Sequence, residues 1–395
     1  MIRLVVWLTL PSGERVAAAE TICGIRPGGF RYLPAFLNHA GAFALEPLGL
    51  PLGPDRFLID RADGVAAVLE DALPDAWGRR LLARRAGLSR HHQTPAQLLA
   101  ALGGSGLGAL SFAAAGEPAP PDPLPGLPDL PRLLAAVGRL EADESLATEE
   151  LGMLLASGSS AGGARPKALI MDGSRPAIAK LPSRQDRLSL VAIEAATMAL
   201  ARKAGIDTAA TRLERVQGQE VLVVHRFDVT PGRGRRHMLS FQTLLQAEGW
   251  YHVGYQDLLG VLRRVSAQPE IDVPALYRQA VFNAIAGNTD DHLKNFTLLH
   301  DDRGFFLSPA YDLLPAVSGE VEHVLHFSPD HVCPSRRTLV GLGRRAGVPS
   351  PAGVVDQVLA AAQGFEEELA AAGVPEEEQR RLGTVVARNI ALASP

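Results

Sequence analysis

The sequence has little cysteine and no long apolar run, and both shortages narrow what the protein can be. Among its 395 residues only Cys23 and Cys333 carry a thiol, which is too few for a disulfide framework or a cysteine-rich zinc site and suits a reducing compartment. The apolar stretch that begins at residue 2 turns polar after about ten residues, too short for a membrane span or a clear secretion signal. We therefore expect a cytoplasmic protein without a membrane segment.

The chain also lacks a large excess of charged residues of either sign. The chain has 39 Lys+Arg and 43 Asp+Glu residues, a formal net charge of -4, so no global basic field draws it to nucleic acid or anionic lipid. Lysine is scarce. Nearly every basic side chain is an arginine, and the only lysines are Lys167, Lys180, Lys203 and Lys294. The motifs H-E-x-x-H and C-x-x-C do not occur.

The apolar residues, 47% of the chain, are numerous enough to bury two ordinary cores. Seven of the fourteen residues 118–131 are proline, a composition that favours an extended connector and excludes helix. Beyond it strand-like segments come first and helix-like segments follow, which predicts an α+β fold with a two-lobed second domain. The predicted divisions are a small α+β domain at 1–113, a linker at 114–131, a strand-bearing lobe at 132–235 and a helical lobe at 236–395.

Local patterns predict the main elements. Residues 2–10 are predicted to form a strand, Trp77, Leu81 and Leu82 recur at helical spacing, and Thr94 is a candidate N-cap before Pro95. Further strands are predicted near 167–171, 177–181 and 220–227, with a helix at 187–204. Mainly helical structure follows from residue 241, interrupted near 290–312 by a polar loop and one short hydrophobic strand.

The polar run 288–295 is the densest group of chemistry-bearing residues. Asp290 and Asn295 reproduce the D-x-x-x-x-N spacing of a kinase catalytic loop, in which the aspartate accepts the substrate hydroxyl proton and the asparagine holds magnesium. Seventeen residues later Asp312 directly follows a predicted strand, where phosphoryl-transfer sites keep a second metal ligand. A solvated turn and a helix-capping aspartate are the structural alternatives.

Three upstream segments have groups that could hold a nucleotide. In S-G-S-S-A-G-G-A-R-P-K the glycines allow close backbone approach to phosphate, although the segment matches neither the P-loop nor the kinase glycine pattern. Lys180 ends a strand-like A-I-A-K, close in type to the kinase V-A-I-K, and Glu194 lies fourteen residues on, where it could pair with that lysine. The strand V-L-V-V-H-R-F-D ends in a candidate hinge. A flexible loop, an exposed lysine and a polar turn are the structural alternatives.

The order of these segments is that of ATP-dependent kinases: glycine loop, strand lysine, helix glutamate, hinge, Asp/Asn loop and metal aspartate. The segments SGSSAGGARPKA, AIAKLPS, HRFD, GNTDDHLKNF and LSPAYDLL, with LPDAWGRRLLARRAG nearer the start, resemble the HipA family of serine/threonine kinases, the toxins of bacterial toxin–antitoxin pairs. The resemblance covers nearly the whole chain. It implies a small N-terminal domain and a two-lobed domain similar to protein and phosphoinositide kinases.

Position by position, the resemblance implies roles for residues of this sequence. Asp290 would be the catalytic base, supported by His292 and Lys294, and Asn295 and Asp312 would hold Mg²⁺. The ATP-binding residues would be Lys180, Gly162, Gly163, Ala164, Lys167, Glu194, His225, Phe227 and Asp228. Among them the backbones of His225 and Phe227 would face adenine, and Asp228 would lie near the ribose. Ser160 aligns with an autophosphorylated serine, and Ser159 and Ser157 stay open as alternatives because the sequence departs from the family at Arg165-Pro166 and carries these extra serines.

The resemblance also implies partners. The expected substrate is a protein, in particular an aminoacyl-tRNA synthetase, and the expected inhibitor is a HipB-like helix-turn-helix antitoxin through which DNA would be contacted only indirectly. Two alternatives stay open: a non-catalytic nucleotide-binding partner of the antitoxin in a repressor complex, and a kinase of small-molecule alcohols on the same fold. Three of the four lysines fall in the motifs that would hold phosphate, and Lys203 has no predicted role.

Overall fold

The computed structural model describes residues 1–74, 76–121, 130–142, 149, 154, 165–249, 251–317, 322–328 and 334–395. Several predicted site residues lie outside the described residues, namely Ser157, Ser159, Ser160, Gly162, Gly163 and Ala164. Cys333 and residues 122–129 of the predicted linker lie outside them as well. None of the helices in the described ranges is long and apolar enough to cross a membrane.

The first domain is built on an antiparallel sheet of five strands. They are β1 (Ile2–Thr9), β2 (Arg15–Cys23), β3 (Gly28–Tyr32), β4 (Arg56–Ile59) and β5 (Leu110–Ala114), in the spatial order β4-β3-β2-β1-β5. Leu4, Val6 and Leu8 alternate on the buried face of β1, as the sequence pattern predicts. The helices of this domain are α1 (Pro34–Leu37), α2 (Ala67–Glu70), α3 (Ala76–Arg85) and α4 (Pro95–Leu102).

The predicted helix signals of this domain are confirmed. Trp77, Leu81 and Leu82 are buried on one side of α3. Thr94 caps α4, because its side chain accepts from the Gln97 backbone N–H and the Gln97 side chain accepts from the Thr94 N–H.

The linker prediction was wrong at its end, because α5 (Leu130–Glu141) begins inside it. Pro131 is the second residue of this helix. A proline in the first helical turn breaks no hydrogen bond, since the N–H groups of that turn have no helical acceptor. Proline density therefore marks the boundary but does not exclude a helix start.

The second sheet has four antiparallel strands. They are β6 (Lys167–Asp172), β7 (Arg175–Lys180), β8 (Thr211–Val216) and β9 (Gln219–His225), in the spatial order β6-β7-β9-β8. Helix α6 (Leu190–Lys203) follows β7 and packs against β8 and β9. Three strands and the helix match the predictions, but β8 was not predicted because none of its side chains is fully buried and its apolar alternation is weak.

The helical lobe contains a third sheet, with the spatial order β10-β11-β12: β10 (His237–Ser240), β11 (Thr297–Asp301) and β12 (Gly304–Leu307). The single strand predicted within 290–312 is therefore a hairpin, because a turn at residues 302–303 pairs β11 with β12. The helices are α7 (Phe241–Leu244), α8 (Tyr255–Val265), α9 (Pro269–Ala286), α10 (Arg336–Arg345), α11 (Pro351–Ala362), α12 (Phe365–Ala371) and α13 (Glu376–Ala393).

The polar run 288–295 owes its position to the end of α9. Gly287 has a φ of +71°, a left-handed conformation that terminates the helix at little steric cost. The chain then passes through the polar run into β11, the middle strand of the third sheet. The run is thereby anchored on both sides, by a buried helix and by a buried strand.

The N-terminal domain packs against the segment that joins the two lobes. The Thr230 hydroxyl donates to the Pro11 carbonyl (2.7 Å), and His237 Nε2 donates to the Leu45 carbonyl (2.8 Å). Trp77 of α3 belongs to the apolar core beneath the second sheet. The first domain is therefore in contact with both lobes.

Candidate active site

Lys180, the last residue of β7, is held between two carboxylates. Its Nζ lies 2.5 Å from Glu194 Oε1 on α6 and 2.6 Å from Asp312 Oδ1. The side chains of Lys180 and Glu194 are 16% and 10% exposed, whereas that of Asp312 is 42% exposed. The predicted strand–helix ion pair is present, and the same ammonium also joins the strand-bearing lobe to the helical lobe.

The three charged groups shift one another's pKa. Burial alone would lower the pKa of Lys180, but Asp312 and Glu194 outweigh it and raise that pKa above its usual range. The Lys180 ammonium in turn holds the pKa of Asp312 well below its usual range. Burial raises the pKa of Glu194, although Lys180 opposes the shift. At neutral pH the cluster therefore keeps a charged lysine and an ionised Asp312.

Asp290 and Asn295 are tied together within the loop after α9. The Asn295 side-chain amide donates to the Asp290 backbone carbonyl (2.7 Å), and a short 3₁₀ turn, Leu293–Asn295, closes the loop. Burial raises the pKa of the Asp290 carboxyl, His292 lowers it, and the charge of Asp312 raises it further. A higher pKa makes a carboxylate a stronger base.

Asp291 plays a different part from its neighbour. Its side chain is fully buried and accepts from the Tyr255 hydroxyl (2.6 Å), from the Leu325 N–H (3.2 Å) and from His323 Nδ1 (3.0 Å). Tyr255 also accepts a hydrogen bond from Asn283 of α9 (2.9 Å). This network fixes the loop to α8 and α9, and sequence reasoning missed it because the spacing motif does not include Asp291.

Asn295 and Asp312 offer the oxygen ligands that Mg²⁺ prefers. The amide nitrogen of Asn295 is used on Asp290, so its oxygen is the atom left for a metal, and Asp312 has Oδ2 beside the oxygen that contacts Lys180. Mg²⁺ takes few protein ligands and completes its shell with water and phosphate. Across the described ranges, no three His, Cys, Asp or Glu side chains cluster as another metal site. The pair therefore fits Mg²⁺ bound together with a nucleotide.

Asp312 does not directly follow a strand, which corrects the prediction. Residues 308–311 separate it from the end of β12, and Ala310 in this stretch forms an isolated bridge with Thr208. Asp312 has a φ of +56°, a left-handed conformation that is uncommon for residues other than glycine and is concentrated at functional sites.

The backbone around the predicted hinge is partly engaged. The His225 N–H donates to the Ala210 carbonyl (2.8 Å), and the Phe227 carbonyl accepts from the Arg236 guanidinium (2.8 Å). Contacts of these two residues with adenine would therefore use the His225 carbonyl and the Phe227 N–H. The predicted adenine contacts stay a prediction.

Asp228 is almost fully buried and already bonded. Its carboxylate accepts from the Gly108 N–H of the N-terminal domain (2.7 Å) and from the Arg226 guanidinium (2.5 and 2.9 Å). Burial would raise the Asp228 pKa, but Arg226 outweighs it and the pKa is lowered. Its predicted ribose contact stays a prediction, and the observed contacts give it a second role at the domain boundary.

These side chains line a single cavity of about 970 Å³. The predicted site residues that line it are Lys167, Lys180, Glu194, His225, Phe227, Asp228, Asp290, His292, Lys294, Asn295 and Asp312. The structure thus brings together the predicted site residues that it describes. Part of the wall comes from the N-terminal domain, including Val68, Asp71, Leu73, Pro74 and Leu107, and no local sequence pattern predicts this.

Two further cavity-lining residues were missed. The Tyr311 hydroxyl donates to the Lys294 carbonyl (2.7 Å) and lies 2.6 Å from the Thr297 hydroxyl, so it braces the loop from the Asp312 side. In the sequence, only the position of Tyr311 next to Asp312 suggested that this tyrosine belongs to the site. Asp71 contacts Ser240 and has no motif around it.

Two family models match the chain. The HipA-like C-terminal domain matches residues 159–364, and the HipA N-terminal domain matches residues 16–113. A HipA chain in the solved complex of HipA, HipB and operator DNA from Shewanella oneidensis MR-1 superposes with a TM-score of 0.69 and covers 98% of this chain and 96% of its own length. At 19% identity that likeness shows a shared fold, which confirms the predicted α+β class with an N-terminal sheet domain and a helical C-terminal region.

Two curated proteins of Sinorhizobium fredii (strain NBRC 101917 / NGR234) are also similar. The protein named "Putative kinase Y4mE" is 36% identical over 154 residues, which are 36% of this chain and 35% of that protein. "Putative kinase Y4dM" is 34% identical over 169 residues, 38% of this chain and 41% of that protein. The chain thus spans about two fifths of the length of the curated relatives it matches.

Proposed function

Because the chain belongs to the HipA family, we propose that it is a protein kinase that uses ATP and Mg²⁺ to phosphorylate a serine or threonine hydroxyl. The observation that carries the proposal is the position of the Lys180 ammonium, between Glu194 and Asp312 and in the same cavity as Asp290 and Asn295. A cation for phosphate, a base and two oxygen ligands are the groups that phosphoryl transfer requires.

Each of these groups has one task in the proposed reaction. Lys180 holds phosphate oxygens of ATP. Asp290 accepts the proton of the acceptor hydroxyl as that oxygen bonds to the γ-phosphorus and the bond from phosphorus to the ADP oxygen breaks. Asn295 and Asp312 hold Mg²⁺, which neutralises phosphate charge when bound. Lys294 and His292 support the loop beside the transferred group.

The proposal includes self-phosphorylation as a control on activity. Ser160 is the proposed site, with Ser159 and Ser157 as alternatives. A phosphate of about two negative charges in the glycine-rich segment would compete with the phosphates of ATP and switch the kinase off.

The proposed biological role is that of the toxin in a toxin–antitoxin pair. The Shewanella complex contains HipB and operator DNA, which supports a HipB-like antitoxin as the partner and contact with DNA through that antitoxin. An aminoacyl-tRNA synthetase is the proposed acceptor, and the cytoplasm the proposed location.

Intact-mass measurement tests the proposed activity. The purified chain is dephosphorylated, freed of phosphatase and incubated with ATP and Mg²⁺. We expect one added phosphoryl group on the chain, and none on Asp290→Asn, because an amide cannot accept the hydroxyl proton. Fragmentation of the product distinguishes the three serines.

Asp302→Asn is the matched control, since Asp302 is exposed at the turn between β11 and β12 and outside the cavity. It should be phosphorylated like the unchanged chain. Measurable ATP binding with no transfer to the chain itself or to any lysate protein would overturn the kinase proposal and favour a non-catalytic nucleotide-binding partner. Transfer only to small alcohols would favour the small-molecule kinase.

A further inference from the structure

Asp71 joins the N-terminal domain to the helical lobe. It follows α2, and its carboxylate accepts from the backbone N–H (2.8 Å) and the hydroxyl (2.7 Å) of Ser240, 169 residues further along the chain. Both donors belong to the residue where β10 ends and α7 begins. The contact therefore fixes the direction in which the chain enters α7.

Ser240 lies next to the end of the polar run 288–295, which carries Asp290 and Asn295. It pairs with Thr297 of β11, two residues beyond Asn295. The N–H of the following residue, Phe241, donates to the Phe296 carbonyl (3.0 Å). A carboxylate that fixes Ser240 therefore also fixes the C-terminal end of the loop that carries Asn295.

Asp71 also lines the cavity, as Lys294 does. Burial raises the pKa of Asp71, while the hydrogen bonds from Ser240 and the charge of Lys294 oppose that shift. Asp71 and Lys294 thus line the same cavity, although they belong to different domains.

We propose that Asp71 is a positioning residue of the active site, through which the N-terminal domain orders the loop 288–295 by way of Ser240. The N-terminal domain thereby completes the active site. The effect on catalysis rests on the proposed kinase function, whereas the effect on loop order does not depend on it.

Asp71→Asn tests this inference. The amide keeps the size of the side chain but removes the charge and replaces one acceptor oxygen by a donor, so the N–H and the hydroxyl of Ser240 can no longer each donate to a separate oxygen. Asp63→Asn is the matched control, because Asp63 also accepts from a backbone N–H at a helix start, that of Ala96 (2.7 Å), but within the N-terminal domain and away from the cavity.

Two measurements on the full chain distinguish the outcomes. Hydrogen exchange followed by peptide mass should be faster in Asp71→Asn at residues 240–244 and 288–296 and unchanged there in Asp63→Asn. Turnover at saturating ATP should fall about tenfold in Asp71→Asn, with the KM for ATP within about twofold of the unchanged chain.

Unchanged exchange at residues 288–296 in Asp71→Asn would overturn the inference whatever the activity. If the unchanged chain transfers no phosphate, the kinase proposal fails, and exchange alone decides the role of Asp71. If Asp71→Asn does not fold, Ser240→Ala, which removes the hydroxyl that donates to Asp71 and that accepts from the Thr243 N–H (3.2 Å), is measured in its place at residues 288–296. Faster loop exchange in that variant supports the inference, and unchanged exchange overturns it.

Discussion

At the scale of single residues, Asp290 and Asp291 show how surroundings divide the work of two identical side chains. Asp290 is exposed in the cavity with a raised pKa, whereas Asp291 is sealed among Tyr255, His323 and the Leu325 backbone. The first is suited to proton transfer and the second to holding the loop. The D-x-x-x-x-N spacing identified Asp290, but no local pattern could reveal Asp291, because its partners come from distant parts of the chain.

Replacement of Lys180 should abolish most activity. Lys180→Met leaves Glu194 and Asp312 without their shared cation and removes the group proposed to hold phosphate. We expect kcat/KM for ATP to fall on the order of 100-fold. Phosphate transfer measured over a range of ATP concentrations gives this value.

Lys203→Met is the matched control for that experiment. Lys203 lies on α6 and pairs with Glu368, but its own side chain is exposed and it does not line the cavity. Its activity should stay within about twofold of the unchanged chain. Equal losses in both variants would contradict a specific role for Lys180.

At the scale of elements, predictability followed the strength of local periodicity. The buried strands β1, β7 and β9 and the helix α6 were found because their apolar residues repeat regularly. The edge strand β8 is half-exposed and β10 has only four residues, so neither gives a clear signal. The site residues were predictable from spacing, but their convergence in one cavity depends on how the sheets pack.

The turn of the third sheet depends on Gly304, which has a φ of +104°. A Cβ at this position would lie 3.0 Å from the Ala267 Cβ, closer than side-chain carbons normally approach. Gly304→Ala should therefore lower the free energy of unfolding by about 1–2 kcal/mol. Urea unfolding followed by circular dichroism measures the change.

Gly260→Ala, in the exposed middle of α8, provides the comparison. A Cβ there meets nothing within 4 Å, and alanine favours helix, so this variant should be stabilised by about 0.5–1 kcal/mol. A Gly304→Ala variant as stable as the unchanged chain would show that the hairpin turn adapts.

At the scale of the whole molecule, the N-terminal domain docks through backbone groups as well as through the Asp71 carboxylate and the apolar side chain of Trp77. The carbonyls of Pro11 and Leu45 and the N–H of Gly108 contact the side chains of Thr230, His237 and Asp228, of which His237 begins β10 and the other two lie between β9 and β10. Backbone polar groups occur all along the chain, so the sequence predicts the two domains but does not predict which residues join them. The first domain consequently forms part of the cavity wall.

One of these contacts predicts a pH dependence. Burial lowers the pKa of His237 to about 4, although the hydrogen bond to Leu45 opposes the shift. Because an unfolded histidine has a pKa near 6.5, the unfolded chain binds more protons between these values, and stability is lost as the pH falls. Between pH 7 and pH 5 the free energy of unfolding should drop by about 2 kcal/mol from this group.

Urea unfolding at both pH values checks the effect. His237→Gln should lose that part of the pH dependence, since glutamine does not titrate. His91→Gln, at an exposed position of the first domain, should keep it. Identical pH dependence in the unchanged chain and in His237→Gln would contradict the prediction.

The placement of the lysines has a practical consequence for chemical labelling. Lys167, Lys180 and Lys294 line one cavity, and Lys203 lies exposed on α6. An amine-reactive reagent therefore meets Lys167 and Lys294 with an accessibility that changes with the contents of the cavity, whereas Lys203 serves as an internal reference. Lys180 should react slowly, because its ammonium is held by Glu194 and Asp312. Arginine, which supplies the other side-chain cations, does not react, so the labelling of Lys167 and Lys294 relative to Lys203 follows occupancy of the cavity in the unmodified protein.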